Sequence, residues 1–542
     1  MSRRALLVAA VGYGALAVGL TWPAAVRPLT SVPGGARTDT ADSLWTLWYV
    51  ARELAAGRLP GSVDGLLNHP AGGSLWPADA VDAFLGAPLV WLAGAAPAWS
   101  LLCIVHLAAA GLAAHLLAER LGGRGVVGGV LYAASAISIS HVQNGASEAV
   151  LGTSLLPLAA LGLLGCARGA GPLLPGFLLG VAALGHAYTG VVAYVLGATV
   201  LAVGFPGATA GFRKRVAVAM ILGLVVAAGP SALALSAATA DDNVVGIKTA
   251  RELMTIRRTI GAADLEVFLH PGDFRSPDFR ELSRYGEDLV HCAYLGGIGI
   301  LGALASLRRR ATPWAMLLAG GLALLLSLGP VLVENGAPVI LSGRRAIPLP
   351  YLLVESLPGF SSLSLLWRLA QLGSLAIAVL AARAVERPLL AWAMAALGVA
   401  ETLLASPVAG FPRHFDATVG EGIQVLADAP PGAVMNFPVV GARAYLWEQS
   451  VHQKPLTGTL NFPNNNAARK VWKVAIEHEK AAPQAMKEAV VSAARAADVR
   501  YLVVHVDARA FDDDMHTGAV RAIKEAFEPM HESPSMRVYR FW

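Results

Sequence analysis

Long apolar stretches joined by short turns that carry Arg or Lys fill the first 404 residues, and they decide what this chain can fold into. An apolar run of about twenty residues satisfies its backbone polar groups internally as a helix and so can cross a bilayer. About eleven such stretches can be placed by this criterion, at residues 5–26, 99–119, 126–140, 149–167, 173–187, 190–205, 216–237, 291–306, 314–332, 365–382 and 389–404. Charged residues make up 15% of the chain, against about 25% in a soluble domain, and mean hydropathy is +0.55. The expected fold class is an α-helical polytopic membrane protein with a small C-terminal soluble α/β domain.

Basic residues hold a loop on the cytoplasmic side. The turns at Arg120/Arg124, Arg168, Arg213–Arg215, Arg308–Arg310 and Arg383/Arg387 all fall inside if the N-terminus, with Arg3 and Arg4, is inside. That solution requires the short stretch 83–96, which holds Pro88, to dip into the membrane or lie on its surface. Outer segments are then 27–82, 141–148, 238–290 and 333–364, and the tail is outside as well. The longer, more polar segments thus share one face, and function is expected there. The net charge of +5 is spread over the turns, which gives no stripe for nucleic acid. Cys103, Cys166 and Cys292 lie in or beside apolar stretches without CxxC spacing, and read as core residues.

The division expected from composition is 1–410 for the membrane part and 411–542 for an extracytoplasmic domain. The tail is balanced in charge. Its runs 433–439, 501–506 and 537–542 read as strands, and 421–428, 467–496 (interrupted at Pro483) and 518–527 as helices. It is expected to position an acceptor or partner and to fold independently. The Asp512–Asp514 run reads as a solvated loop, since calcium needs ligands spread over a shaped loop.

The segment after the first span concentrates chemistry. It reads Asp39-Thr40-Ala41-Asp42-Ser43-Leu44-Trp45-Thr46-Leu47-Trp48, placing two carboxylates and two Trp at the outer membrane surface. Asp39 also suits a plain helix N-cap, which is the alternative to chemistry. Asn68-His69-Pro70-Ala71-Gly72-Gly73-Ser74-Leu75 follows. Together with Ser327–Pro330, Leu349-Pro350-Tyr351, Leu357–Phe360, Arg368 and the tail motifs Asn436-Phe437-Pro438 and His452–Pro455, this order resembles bacterial membrane glycosyltransferases of the GT-C superfamily. The likeness covers most of the chain. It departs at Thr38, where a Gly often precedes the Asp, and at 361–367, which lacks a second Arg.

The resemblance implies transfer of a hexose or pentose from a polyprenyl phosphate donor to a lipid, glycan or protein acceptor. The setting would be the outer face of the bacterial cytoplasmic membrane. Asp39, Asp42 and Glu148 are the candidate catalytic acids, with a helix-end role as the alternative for Glu148. Arg368, Arg257, Arg258 and Lys248 are candidates for the donor phosphate. Trp45, Trp48, His141, Tyr445 and His452 are candidate acceptor contacts. The resemblance allows a divalent metal such as Mg or Mn, with Asp39 as ligand. His106, His115 and His186 read as satisfied core histidines. Two other classes compete: a transporter or flippase of a lipid-linked saccharide, and a non-catalytic scaffold of envelope glycan assembly. Charges that avoid span centres and the lack of a visible repeat weigh against transport.

Overall fold

The computed structural model describes every residue except 1, 36–37, 78, 245–248, 271–290, 310–311, 342–344, 358, 405–412, 438–441, 461–464 and 507–513. The apolar stretches form helices α1 (Arg3–Leu20), α2 (Thr40–Ala55), α3 (Ala80–Ala93), α4 (Ala95–Arg120), α5 (Gly125–Ala133), α6 (Ala136–Gln143) and α7 (Ser147–Ala167). They continue with α8 (Leu173–Gly185), α9 (Ala187–Val203), α10 (Phe212–Ala238), the short α11 (Ala250–Arg257), α12 (Gly297–Ser306), α13 (Trp314–Ser327), α14 (Ala370–Ala382) and α15 (Pro388–Leu404). Among the described residues, five helical segments are long and apolar enough to cross a membrane: α1, α4, α5 with α6, α7 and α10. Seven shorter apolar helices accompany them. The chain is a multi-pass membrane protein.

Helix contacts follow from small residues. A Cβ at Gly180 of α8 would lie 2.8 Å from the Gly223 carbonyl of α10, so glycine there lets the two backbones touch. The stretch 83–96 is a helix, α3, separated from α4 only by Gly94. It carries Asp82 into the bundle, where the carboxylate meets His106 of α4 at 2.9 Å. The other nitrogen of His106 meets Ser154 of α7, also at 2.9 Å. An Asp–His pair therefore links α3 to α4 inside the bundle. The expected reading of His106 as a satisfied core histidine agrees with these bonds.

Residues 333–346 make two small hairpins, β2 (Val333–Glu334) with β3 (Ala337–Pro338) and β4 (Ile340–Leu341) with β5 (Arg345–Ala346). Before them in sequence, β1 (Ser31–Pro33) pairs antiparallel with β6 (His414–Asp416), tying the start of segment 27–82 to the start of the tail. The tail then gives α16 (Glu421–Asp428), β7 (Ala433–Phe437), α17 (Ala442–His452), α18 (Asn466–Glu477), α19 (Pro483–Ala496), β8 (Val499–His505), α20 (Asp514–Ala526), β9 (Pro529–Glu532) and β10 (Met536–Arg540). Its sheet runs β7-β8-β10-β9, with β7 and β8 parallel and the other pairs antiparallel. The strand and helix positions match expectation, except that β6, β9 and α17 were not anticipated. Asp512 and Asp513 lie outside the described residues.

One sheet face, with Met435, Leu502, Val504 and Tyr539, is sealed by α18 to α20. The other face, with Val434, Tyr501, Val503 and Val538, joins a core that also holds Leu44, Trp45 and Tyr49 of α2. Helix α2 is thus covered by the tail on one side and by α3 and α4 on the other.

Candidate active site

A turn stabilised by hydroxyls starts α2. The Thr38 hydroxyl donates to the Gly35 carbonyl at 2.8 Å and lies 2.9 Å from the Thr40 hydroxyl. Asp39 occupies the N-cap, but its carboxylate makes no capping bond. Its backbone N–H instead donates to the Asn144 carbonyl at 2.9 Å, which docks α2 on the turn between α6 and α7. Ser43 donates to the Gly145 carbonyl of the same turn at 2.7 Å. Gly145 has φ +64°, and a Cβ there would come within 2.5 Å of the Thr40 backbone. Only glycine combines that conformation with that approach. This turn leads directly into Glu148, so one local contact brings segments 27–82 and 141–148 together.

The result is a cleft of about 990 Å³. Asp39, Asp42, Asp79, Glu148, His186 and Arg368 line its polar end. Val81, Phe84, Leu184, Pro230 and Leu233 line an apolar wall supplied by α3, α8 and α10, and Leu460 adds a contribution from the tail. Leu233 and Leu235 of α10 are more than half exposed, as suits helix faces turned to lipid.

Arg368 sits in a 3-10 turn, Leu366–Leu369, just before α14. Its guanidinium is buried and bonds Glu148 at 3.1 Å through Nη1. The same nitrogen is 3.5 Å from His186 Nε2. The rings of Tyr188 and Trp367 lie 5.5 and 5.7 Å away. Among the described residues, Arg368 Nε and Asp42 Oδ1 are buried without a hydrogen-bond partner. Burial, reinforced by the Glu148 charge, pushes the Asp42 carboxyl up to about 7. Burial and the neighbouring Asp82 also raise Asp79 well above the carboxylate range.

The structure brings Asp39, Asp42, Glu148 and Arg368 into one cleft, and the other candidates lie elsewhere. Trp45 is fully buried, stacks on Tyr49 and donates to Gln449 of the tail at 2.8 Å. Trp48 is half-buried, with Arg52 over its ring. His141 is buried against Thr153 and Trp367. Tyr445 stacks on His505 inside the tail. His452 accepts from the Lys454 N–H, and burial pushes its imidazole down to about 3. Arg257 is buried, donates to the carbonyls of Ser361 and Leu363, and pairs with Glu355 at 3.4 Å. Arg258 pairs with the same Glu355. None of these seven lines the cleft. Lys248 lies outside the described residues.

Three cleft residues were not anticipated as site residues: Asp79, His186 and Tyr188. His186 is buried and hydrogen-bonded, as expected of a core histidine, and it also lines the cleft, with Nε2 3.5 Å from the Arg368 Nη1. Its signal in the sequence is the polar break Gly185-His186-Ala187-Tyr188 between two apolar runs, because irregular backbone at that depth must line a cavity or be buried in protein. Asp79 has no comparable signal, since with Asp82 three residues on it reads as the start of a helix. Among the described residues no three His, Cys, Asp or Glu side chains converge closely enough to hold a metal ion. The divalent ion expected around Asp39 therefore has no ligand set here.

No protein-family model matches the chain, and no curated protein sequence does. Solved structures do. The arabinofuranosyltransferase AftD from Mycobacteria aligns with a TM-score of 0.55 and 17% identity, over 100% of this chain and 42% of AftD. The chain thus spans less than half of that protein. The oligosaccharyltransferase AglB from Archaeoglobus fulgidus, solved with an inhibitory peptide and a dolichol-phosphate, aligns with a TM-score of 0.54 and 13% identity, over 96% of this chain and 71% of AglB. At such identities the likeness is one of fold, and the chain shares the fold of these two enzymes.

Proposed function

We propose that this protein is a membrane glycosyltransferase that moves a sugar from a polyprenyl phosphate to an acceptor hydroxyl, on the outer face of the cytoplasmic membrane. The observation that carries the reading is the two-ended cleft. Four carboxylates and one guanidinium lie at its polar end, and an apolar wall from α3, α8 and α10 continues from them. A lipid tail along that wall would bring its phosphate to Arg368.

In the reaction the acceptor oxygen attacks the anomeric carbon of the donor. The bond from that carbon to the phosphate oxygen breaks, and polyprenyl phosphate leaves with the bonding pair. The hydroxyl proton passes to a carboxylate. Asp39 orients the acceptor hydroxyl. Asp42, with its carboxyl near neutrality, is the better matched base, because a base works best with a pKa near the working pH. Arg368 holds the leaving phosphate as its charge grows. A sugar-bearing phosphodiester carries one negative charge and a nucleotide diphosphate sugar carries two. One arginine among four carboxylates favours the former. No step is assigned to a metal.

A second reading, a flippase of lipid-linked saccharide, draws support from the buried Asp82–His106 pair. Both ring nitrogens of His106 and Oδ1 of Asp82 are engaged within the bundle, however, and neither residue lines the cleft. The test reconstitutes the full chain in proteoliposomes with radiolabelled polyprenyl phosphate sugars and candidate acceptors. Label appearing on acceptor supports transfer. Label that only changes leaflet supports the flippase.

A further inference from the structure

Arg368 does not stand alone, and its support is built from one place. We propose that His186 and Tyr188, at the break between α8 and α9, are positioning residues that fix Arg368 for the donor phosphate. The inference rests on the reading of Arg368 given above.

The hydrogen bonds around His186 run in a single direction. Gln371 Nε2 can only donate, and it gives its proton to the Thr153 hydroxyl at 2.9 Å. Thr153 in turn donates to the Ala149 carbonyl at 2.9 Å. The carbonyl end of Gln371 therefore accepts, and Thr189 donates to it at 3.4 Å. Thr189 has then spent its only proton, so His186 Nδ1, at 2.8 Å, must be the donor of that pair. This fixes the tautomer: Nδ1 carries the proton and Nε2 is a lone pair facing the Arg368 Nη1 at 3.5 Å. A second proton on His186 would set two cations against each other at that distance. The chain joins α14, α7 and α9, and each of its side chains is at most 3% exposed.

Tyr188 acts on the backbone. Its hydroxyl oxygen accepts from the N–H groups of Ser364 and Leu365, at 2.9 and 2.7 Å, which lead into the turn carrying Arg368. Its ring lies 5.5 Å from the guanidinium, a separation at which a cation is drawn to an aromatic face. Glu148 holds the same Nη1. With Nη1 fixed by Glu148 and His186 and the turn fixed by Tyr188, the orientation of the remaining guanidinium edge is set before any phosphate arrives. Pre-set geometry raises affinity because less freedom is lost on binding.

The test measures binding of undecaprenyl phosphate to the purified full chain, together with the donor KM and kcat. R368A is the reference variant and should weaken binding strongly. H186L removes the acceptor and should weaken binding about ten-fold, the size of a lost hydrogen bond to a charged group. H186Q places an amide oxygen near the Nε2 position and should restore binding to within about three-fold. Y188F keeps the ring but strands two N–H groups, and should raise KM while kcat at saturating donor holds. Thr189→Val cuts the chain without lining the cleft, so it covers the case in which H186L fails to fold. Loss of binding in R368A with wild-type binding in H186L and Thr189→Val overturns the inference alone, and equal loss in H186Q and H186L does so too. Wild-type binding in R368A overturns the phosphate reading and this inference with it.

Discussion

In the proposed mechanism Asp42 is the base, and its carboxyl is buried. Its value of about 7 lies above the ordinary 3.8, so the protonated form is favoured in the folded protein. Its contribution to stability is complete below 3.8 and is lost as pH rises through about 7. Thermal melts of D42N against wild type should therefore lose a downward slope in stability between those values. In transfer assays, wild-type activity should rise as pH passes through about 7 while Asp42 ionises, and D42N should lose that rise along with most of its activity. Gly145 supplies a structural counterpart. Gly145→Ala forces a Cβ into the Thr40 backbone at a left-handed φ, and should destabilise by about 1–3 kcal/mol, measured as a fall in melting temperature. At this scale the sequence was partly legible. Asp39, Asp42, Glu148 and Arg368 stand at segment ends with distinctive neighbours. Asp79, His186 and Tyr188 are single residues whose roles depend on which helices meet, and no local pattern encodes that.

Helix α2 shows why the acceptor contacts were misplaced. Trp45 and Trp48 read as interfacial aromatics because the tail, hundreds of residues away in sequence, could not be seen to fold back over them. In the structure the Trp45 indole is fully buried and satisfied by Gln449, whose amide also donates to the Leu66 carbonyl at 2.6 Å. Gln449→Leu would leave the indole N–H and the Leu66 carbonyl without those bonds. It should cost about 1–3 kcal/mol, seen as a lower melting temperature, and should lower transfer because α2 carries Asp39 and Asp42. A melting temperature equal to wild type would mean that α2 is held without the tail. Helix α3 shows the other limit of the sequence. Its length and proline left its path open, and the Asp82–His106 contact, with Gly86 close to Leu102, shows how it packs on α4.

Over the whole molecule, the apolar stretches and the α/β tail could be read from periodicity, and their continuity could not. The expected boundary at residue 411 separates the chain by composition, whereas the packing runs across it: Val434, Tyr445, Leu446 and Leu456 share a core with Leu44, Leu66 and Leu75. The face of the tail sheet covered by α18 to α20 is complete in itself. A fragment of residues 411–542 should therefore fold its sheet yet expose the surface that covers α2. Size-exclusion chromatography should show self-association, and a dye for apolar surface should bind. A monomeric fragment that binds no dye would contradict the shared core. The account as a whole stands on Asp39, which heads α2 and faces the cleft with a carboxylate that caps nothing. The most direct test is transfer from a polyprenyl phosphate sugar in proteoliposomes, comparing wild type with Asp39→Asn. The account predicts a loss of roughly 10²-fold in transfer, the cost of a misplaced reacting hydroxyl, with unchanged folding, and near-normal transfer by the folded variant would contradict it.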